Sequence, residues 1–155
     1  MTKPAQPGLH YVFSIEAELG PPRAFGPGPT GERLHIEILG GRVSGPRLSG
    51  RILPGGSDWP VVTPDGHSRI EAHYTVEAAD GTLIYVHNRG LRVSSPEVAQ
   101  ALRRGEAVPP EELYMRGAPV FDVGDGPHAW LRERLFVCSL LLDGKTISID
   151  VYMVT

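Results

Sequence analysis

The chain has 155 residues and a formal net charge of −3, with 41% hydrophobic and 21% charged residues, as expected for one folded domain. A protein that binds nucleic acid normally carries a basic stripe; here each close pair of arginines has an acidic residue nearby, so we expect neither a nucleic-acid partner nor a polybasic membrane contact. The start MTKPAQPG is not apolar, and no apolar run approaches the roughly 20 residues of a membrane-spanning helix, so we expect no signal peptide and a cytoplasmic location.

The first third of the chain is predicted to form strands separated by proline-rich and glycine-rich turns. Apolar and polar residues alternate over residues 9–19 and again over 32–39, which is the period of a strand with one buried face. Residues 20–31 are rich in proline and glycine and are predicted to be a loop. Gly40 and Gly41 predict a bend into a coiled or bulged strand, because glycine within a strand often marks a bend.

The middle of the chain contains the clearest local pairing. Residues 68–78 and 82–90 are both predicted strands, and Ala79-Asp80-Gly81 between them is a turn of the Asp-Gly type that hairpins favour. These two strands are therefore expected to lie side by side in an antiparallel hairpin.

A single helix is predicted over residues 94–106. Either Ser94 or Ser95 can cap its start, Pro96 suits its first turn, and Gly105 can end it.

The last third is predicted to be extended again. Residues 109–123 are predicted to be extended after a short turn, and the second half of residues 129–142 is a predicted buried strand. Asp143-Gly144 turns the chain into a final strand over residues 145–154. The one cysteine, Cys138, lies in the apolar run LFVCSLLL, which predicts a buried and unreactive thiol.

Together these elements predict an all-β fold of eight or nine strands with one short helix. A closed antiparallel β-barrel of about eight strands is the favoured architecture, because closure removes the exposed edges of an open sheet. A β-sandwich is the alternative. The whole chain, residues 1–155, is predicted to be one domain in which residues 1–8 form a loose tail.

Several motifs resemble a known family. They are GPTGERLHIEILGGRVSGPRLSGRILPGGSDW, DGTLIYVHNRG, and YMRGAPVFDV followed by HAWLRERLFV and VYMV. Over roughly residues 9–154 the chain resembles the DUF3237 family, also called UPF0311. The resemblance implies a small antiparallel barrel, grouped with lipocalin-like or allene-oxide-cyclase-like barrels, and a pocket. It implies no particular reaction.

Two departures from the family pattern affect candidate ligand contacts. Glu71-Ala72-His73 stands where the family pattern has an acidic residue, any residue and arginine. Trp130-Leu131-Arg132 stands where it has Trp-Leu-Asn. If these positions contact ligand, this chain has its own substrate.

The first candidate site is the turn that contains Asp58 and Trp59. Asp58 either bonds backbone amides at the turn or points into the cavity as an acid or base, and Trp59 either plugs the barrel mouth or forms an apolar wall. Such a wall raises the pKa of a carboxyl group by desolvation and makes it a usable proton carrier. Both interpretations can hold, because turns at a barrel mouth often carry sites.

Glu71 and His73 form the second candidate site. They are two residues apart on one predicted strand and share a face, which either is solvated or lines the cavity. Inside the cavity, a carboxylate and an imidazole would form an acid–base pair near neutral pH. Asp58, Glu71 and His73 are therefore the candidate catalytic residues.

Five further residues are candidates for binding substrate. Asn88 either donates to a developing oxyanion or caps a turn. Arg116 either clamps a carboxylate or enolate or pairs with a surface acid. Trp59, Phe121 and Trp130 are candidate apolar walls, with core packing as the alternative for Trp130.

Neither a metal nor a cofactor is expected. None of the six histidines falls in an H-x-H or H-x-x-x-H spacing, and a metal site needs three or four converging ligands. The sequence contains no G-x-S-x-G elbow, and GPGPTG has prolines where a phosphate loop needs free amides.

We therefore predict a cofactor-independent enzyme of the isomerase, cyclase or lyase type. It would act by proton transfer on a small, partly apolar organic acid, ketone or polyketide-like molecule inside the barrel. One alternative is a non-catalytic carrier of such a molecule, and another is an assembly module whose barrel is filled by its own side chains. Apolar residues on both faces of strands such as LFVCSLLL predict a homodimer.

Overall fold

A computed structural model describes all 155 residues. It contains eleven strands, one α-helix and two short 3₁₀ segments. The strands are β1 (Leu9–Leu19), β2 (Arg23–Gly28), β3 (Gly31–Ser44), β4 (Gly50–Ile52), β5 (Gly56–Asp58), β6 (Val61–Val62), β7 (Ser68–Ala78), β8 (Leu83–Val93), β9 (Tyr114–Asp122), β10 (Phe136–Asp143) and β11 (Thr146–Val154). The helix α1 spans Pro96–Arg103, and the 3₁₀ segments span Pro110–Glu112 and Ala129–Arg132.

The strands close into one antiparallel barrel. Hydrogen-bonded neighbours follow the order β1-β11-β10-β9-β8-β7-β4-β3, and β3 returns to pair with β1. The short strands β4, β5 and β6 each pair with both β3 and β7, so together they fill the place of one strand. The prediction of a closed antiparallel barrel of about eight strands is confirmed, and the sandwich alternative is wrong.

Two differences from the predicted elements lie near the start of the chain. The segment 20–31, predicted to be a loop, contains β2, which pairs only with β3 and lies off the closed circuit. Proline is tolerated at such an edge, since no further strand needs its missing N–H. Gly40 and Gly41 do not end a strand but lie within β3, and the irregularity there is a register shift against β1.

Alternation along β7 separates the inside of the barrel from the outside. Its even-numbered residues from Ile70 to Val76 are buried, while Glu71 and His73 between them face outward and are partly exposed. This is the expected pattern for a barrel strand, in which successive side chains point to opposite faces.

Aromatic packing fills one end of the barrel. Phe121 contacts Phe13 and Phe136 edge-to-face, with ring centroids 5.9 and 5.0 Å apart respectively. All three side chains are buried. This end, where β9 finishes and β10 begins, is therefore solid core, and open space remains only toward the other end.

The helix α1 follows β8 and is capped as its sequence predicts. Ser95 precedes the first turn, and its side chain accepts a hydrogen bond from the backbone N–H of Val98 at 3.2 Å. Gly105 has φ +76°, a left-handed conformation that suits glycine at a helix end. At eight residues, α1 is too short to cross a membrane, and no other helix is longer.

Candidate active site

The barrel interior contains a narrow, mostly apolar cavity. Twelve of its fourteen lining residues are hydrophobic, and the two exceptions are Asp58 and Asn88. The walls bound about 490 Å³ of empty space including the mouth, but the centre of a water molecule can occupy only about 40 Å³ of it. Leu19, Asp58 and Ile147 are the lining residues that keep partial exposure, so they mark the mouth.

Asp58 places a carboxyl group against the apolar walls of this cavity. It ends β5, where its Oδ1 accepts a hydrogen bond from the backbone N–H of Glu71 at 3.0 Å. Burial raises the pKa of Asp58 to about 6, although backbone N–H groups of Glu71 and Trp59 act in the opposite direction. The carboxylate thus both bonds a backbone amide and faces the cavity, as the two interpretations of Asp58 placed it, and its role as an acid or base stays a prediction.

Asn88 is the second polar group of the cavity wall and is 1% exposed. Its amide has only one side-chain partner, the Cys138 thiol, with Nδ2 to Sγ at 3.6 Å. Sulfur is a weak hydrogen-bonding partner, so the buried amide keeps capacity for a ligand. A Cβ at Gly117 would lie 2.5 Å from the Asn88 Oδ1, so this glycine leaves the amide its room.

Tyr74 and Cys138 complete the polar surroundings of the cavity. Tyr74 lines the cavity between Ala72 and Val76 on β7, and burial raises the pKa of its hydroxyl above the usual value. Burial also raises the pKa of Cys138 to about 11. The thiol is therefore buried and protonated at neutral pH, in agreement with the sequence.

Arg92 is an inward-facing arginine that the sequence analysis missed. Counting by twos along β8 from the buried Asn88 gives Gly90 and then Arg92, so the period-two alternation of the strand places Arg92 on the inner face. Its Nη2 donates to the backbone oxygen of Gly66 at 3.5 Å, its Nε is buried without a hydrogen-bond partner, and it is not among the residues that line the cavity. Burial lowers the pKa of this guanidinium from its usual value.

Glu71 and His73 do not reach the cavity. Their face of β7 is the outer one, so the three candidate catalytic side chains do not converge: Asp58 lies inside and the other two lie outside. The reason is the strand period, because Asp58 is paired with Ala72, an inward-facing residue. The backbone N–H of Glu71 is the only direct link between the two groups of residues.

On the outer surface, Glu71 and His73 belong to a polar cluster with His87. The Glu71 Oε1 lies 2.5 Å from Nε2 of His87 and 3.5 Å from Nε2 of His73. The two imidazole rings are stacked with centroids 4.2 Å apart. Although burial opposes ionisation of Glu71, the hydrogen bond from His87 and the neighbouring positive charges lower its pKa overall.

Four of the five candidate substrate-binding residues also lie away from the cavity. Trp59 is partly exposed and stacks on His35 at 4.1 Å, outside the barrel. Arg116 faces outward, where its Nη1 donates to the backbone oxygen of Met115. Phe121 belongs to the aromatic core at the opposite end, and Trp130 packs there beside Phe136. Only Asn88 lies where it was predicted to act.

The predicted strand residues that lie outside the cavity were misplaced for the same physical reason. Period-two alternation tells which residues lie together on a strand face but does not say which face is inside when both carry apolar residues. Trp59 lies one residue beyond the inward-facing Asp58, and Arg116 one residue beyond the inward-facing Met115. In each case a neighbour faces the cavity and the candidate does not.

The comparison with known proteins assigns the fold to a family. The profile described as "Protein of unknown function (DUF3237)" matches residues 7–154. A UPF0311 protein of Rhodopseudomonas palustris is 40% identical over 144 residues, which cover 93% of this chain and 94% of that protein.

The chain belongs to the DUF3237 family.

Solved structures support the same assignment. The crystal structure of a conserved protein of unknown function from Rhodopseudomonas palustris superposes with a TM-score of 0.93 at 38% identity, covering 98% of this chain and all of that one. A "beta-barrel like protein" of Acinetobacter baumannii gives a TM-score of 0.87 at 30% identity over the full length of both chains. These relatives share the barrel fold, and their descriptions state no activity.

A more distant similarity leads from the DUF3237 family to a named enzyme. The hydroalkoxylation enzyme phnH of Penicillium herquei is 28% identical over 85 residues, which cover 55% of this chain and 56% of that protein. The structure of an enzyme from Penicillium herquei has a TM-score of 0.74 at 20% identity, covering 100% and 99% of the two chains, and it shares the fold.

Proposed function

We propose that the barrel interior is the active site of a cofactor-independent enzyme that works by proton transfer. The reaction would be of the isomerase, cyclase or lyase type on a small, partly apolar organic molecule. The observation that carries this proposal is Asp58, the only carboxyl group on the wall of a mostly apolar cavity. An enzyme is plausible on the comparisons as well, through the distant similarity to a hydroalkoxylation enzyme.

Asp58 is suited to carry a proton in both directions. With a pKa of about 6, it is mostly ionised at neutral pH and accepts a proton readily. Because this pKa is close to neutral pH, the protonated form of Asp58 can also form during the reaction and return the proton. The apolar walls leave little room for competing water, and they strengthen any charge interaction with the reacting atoms.

Asn88 and Arg92 supply the groups that would balance developing negative charge. The Asn88 amide is buried at the cavity wall with only a thiol partner, so its N–H can donate to an oxyanion at no cost in lost protein hydrogen bonds. Arg92, on the same strand but not on the cavity wall, would add positive charge only from a distance.

Addition of an alcohol across a double bond is one reaction that this arrangement fits. A hydroalkoxylation transfers the hydroxyl proton to one alkene carbon while the oxygen bonds to the other. One carboxylate suffices, because it accepts the proton from the hydroxyl group and returns it to carbon, so that it is regenerated. Among reactions of the cyclase type, we propose this one for Asp58 on the strength of the distant relative.

The size of the cavity limits what can enter. Ligand pockets commonly measure about 300 Å³ or more, whereas water centres reach only about 40 Å³ here. We propose that only the reacting end of a substrate enters and that the remainder stays at the mouth beside Leu19 and Ile147. Wider entry would require these two partly exposed side chains to change rotamer.

The first test is the substitution Asp58→Asn, with Glu77→Gln, a carboxyl group on the outer face of β7, as its matched control. Asparagine keeps an oxygen that accepts the Glu71 N–H but cannot exchange a proton with carbon. Protein in deuterated water is incubated with short alkenols, unsaturated ketones and β-keto acids, and deuterium uptake on carbon is followed by mass spectrometry. We expect Asp58→Asn to reduce the rate by about 10²–10⁴-fold and Glu77→Gln to leave it unchanged. Equal rates in wild type and Asp58→Asn would refute the proposal.

The narrowness of the cavity favours a second candidate function, assembly without a ligand. That function predicts that no compound of the set raises the melting temperature and that none is deuterated. A carrier would instead bind a compound, show no turnover, and keep its affinity in Asp58→Asn. Thermal shift and deuterium uptake together therefore distinguish the three functions.

A further inference from the structure

We propose that the outer face of the β7–β8 hairpin holds a divalent transition-metal ion of the zinc type, bound by Glu71, His73 and His87. The site lies outside the barrel and does not depend on the function proposed for the interior. Three side chains of the right types, imidazole, imidazole and carboxylate, offer ligand atoms that all lie within 4.8 Å of one another. Two histidines and one glutamate are a common zinc ligand set.

The register of the hairpin brings the ligands together. His73 lies directly opposite His87, and Glu71 lies two residues away on the same outer face as His73. Directly opposed residues have Cβ atoms about 4.5–5.5 Å apart, so both rings are held close by main-chain pairing. Sites built on paired strands are more precise than sites on loops.

The ring nitrogens already point at one carboxylate oxygen. Nε2 of His87 lies 2.5 Å and Nε2 of His73 lies 3.5 Å from Oε1 of Glu71. Zinc–ligand bonds of about 2.0–2.2 Å place the ion between these three atoms after small adjustments. The planes of the two rings are 13° apart. To bind one ion the rings must tilt slightly relative to each other, which the broad χ2 torsion of histidine allows.

Tyr85 prepares His73 for this role. Its hydroxyl forms a hydrogen bond with the His73 Nδ1, and when Nδ1 donates, the lone pair of the neutral ring lies on Nε2, toward Glu71. Metal-bound histidines usually have such a partner on the second nitrogen. Arg89 lies 3.5 Å from the other oxygen of Glu71, Oε2, and so leaves Oε1 for the ion.

The partial exposure of the ligands indicates an open coordination position. Their side chains are 26–39% exposed, so the cluster is accessible from solvent, and three protein ligands leave a fourth tetrahedral position for water or a small anion. Sites that keep such an open position are typical of catalytic rather than structural zinc. Mg²⁺ and Ca²⁺ prefer all-oxygen ligands and should bind poorly.

The test is zinc binding by the full chain after treatment with a chelator. We expect equilibrium dialysis and titration calorimetry to give one Zn²⁺ per chain, and Co²⁺ to give visible absorption bands of a tetrahedral complex. Tyr85→Phe should weaken binding by about 10–100-fold, the usual effect of an outer partner. His73→Ala and His87→Ala should weaken it by more, since each removes a ligand.

The matched control is His10→Ala, which removes an exposed histidine on β1 far from the hairpin in sequence. It should bind Zn²⁺ as wild type does. Circular dichroism of each variant confirms that it is folded, and Glu71→Gln provides a third independent ligand loss. If wild type binds no Zn²⁺, or if the ligand variants bind as tightly as His10→Ala, the proposal is overturned.

Discussion

At the scale of single residues, the most informative group is the carboxyl of Asp58. It faces the same cavity as Asn88. Its pKa is raised because the effect of burial is larger than the opposite effect of two backbone N–H donors. A buried carboxyl group usually reduces stability in its ionised form. Its position on the wall of a mostly apolar cavity therefore supports a role in ligand chemistry.

The raised pKa of Asp58 predicts how stability depends on pH. The group is protonated in both states below its unfolded value of 3.8, so no cost arises there. Between that value and about 6 the folded state binds more protons, so unfolding free energy falls as pH rises. The full cost above pH 6 is roughly 3 kcal/mol at 1.36 kcal/mol per pKa unit.

This cost can be measured by urea unfolding of wild type and Asp58→Asn at several pH values between about 3.5 and 7.5, since a shifted pKa makes the unfolding free energy depend on pH. We expect the variant to gain stability relative to wild type as pH rises through 4 to 6. Other titrating groups cancel in the difference between the two proteins. If that difference is the same at every pH, the carboxyl group of Asp58 is not desolvated.

At the scale of elements, closure of the barrel depends on how closely β3 can approach β1. A Cβ at Gly41 would lie 2.1 Å from the backbone oxygen of Glu16 and 2.7 Å from the Cα of Ala17. Both contacts are with backbone, which cannot move aside as a flexible side chain can. Gly41 is therefore required for the pairing that joins the two ends of the sheet.

We predict that Gly41→Ala destabilises the fold by about 1–3 kcal/mol or more, because it overpacks this junction. The control is Gly124→Ala, where an added Cβ would meet nothing within 4 Å and the change should stay within about 0.5 kcal/mol. Chemical denaturation followed by circular dichroism measures both. Equal stabilities for the two variants would contradict the closure argument.

At the scale of the whole molecule, the outer surface carries an apolar patch that one chain leaves uncovered. On the outer face of β1, β11 and β10, Tyr11 is opposite Tyr152, which is opposite Val137. Leu9 and Leu135 extend the patch, and Leu135 is 76% exposed. The apolar residues of LFVCSLLL that do not face the core thus collect on one side of the barrel.

We predict that this patch, Leu9, Tyr11, Leu135, Val137 and Tyr152, forms the interface of a symmetric dimer. Light scattering should then give twice the chain mass of 16.8 kDa, and Leu135→Lys should shift the protein to the monomer. Phe25→Lys, on a residue of β2 that is 65% exposed and lies outside the closed circuit, should leave the dimer intact. A wild-type monomer at micromolar concentration would exclude this interface.

The sequence by itself determined the long strands, the Asp-Gly turns and the helix cap, and together with the family motifs it favoured a closed barrel, but it missed β2. These depend on local patterns, such as alternation in residues 68–78 and the Asp-Gly turn after them, and on the family motifs. It also indicated that Asp58 and Asn88 were candidates. The strands, turns and helix cap concern residues close together in the chain, where spacing and backbone preference suffice.

Only the tertiary structure decided which strand faces are inside and which distant residues meet. Glu71 and His73 lie outside because Ala72 pairs with Asp58 across two strands, and Arg92 lies inside by the same alternation. His73 and His87 are fourteen residues apart in the sequence and come together only through the register of β7 against β8. The H-x-H and H-x-x-x-H spacings considered in the sequence analysis do not include such a cross-strand pair. Facing and register depend on the long-range pairing that closes the barrel, and local sequence patterns do not contain that information.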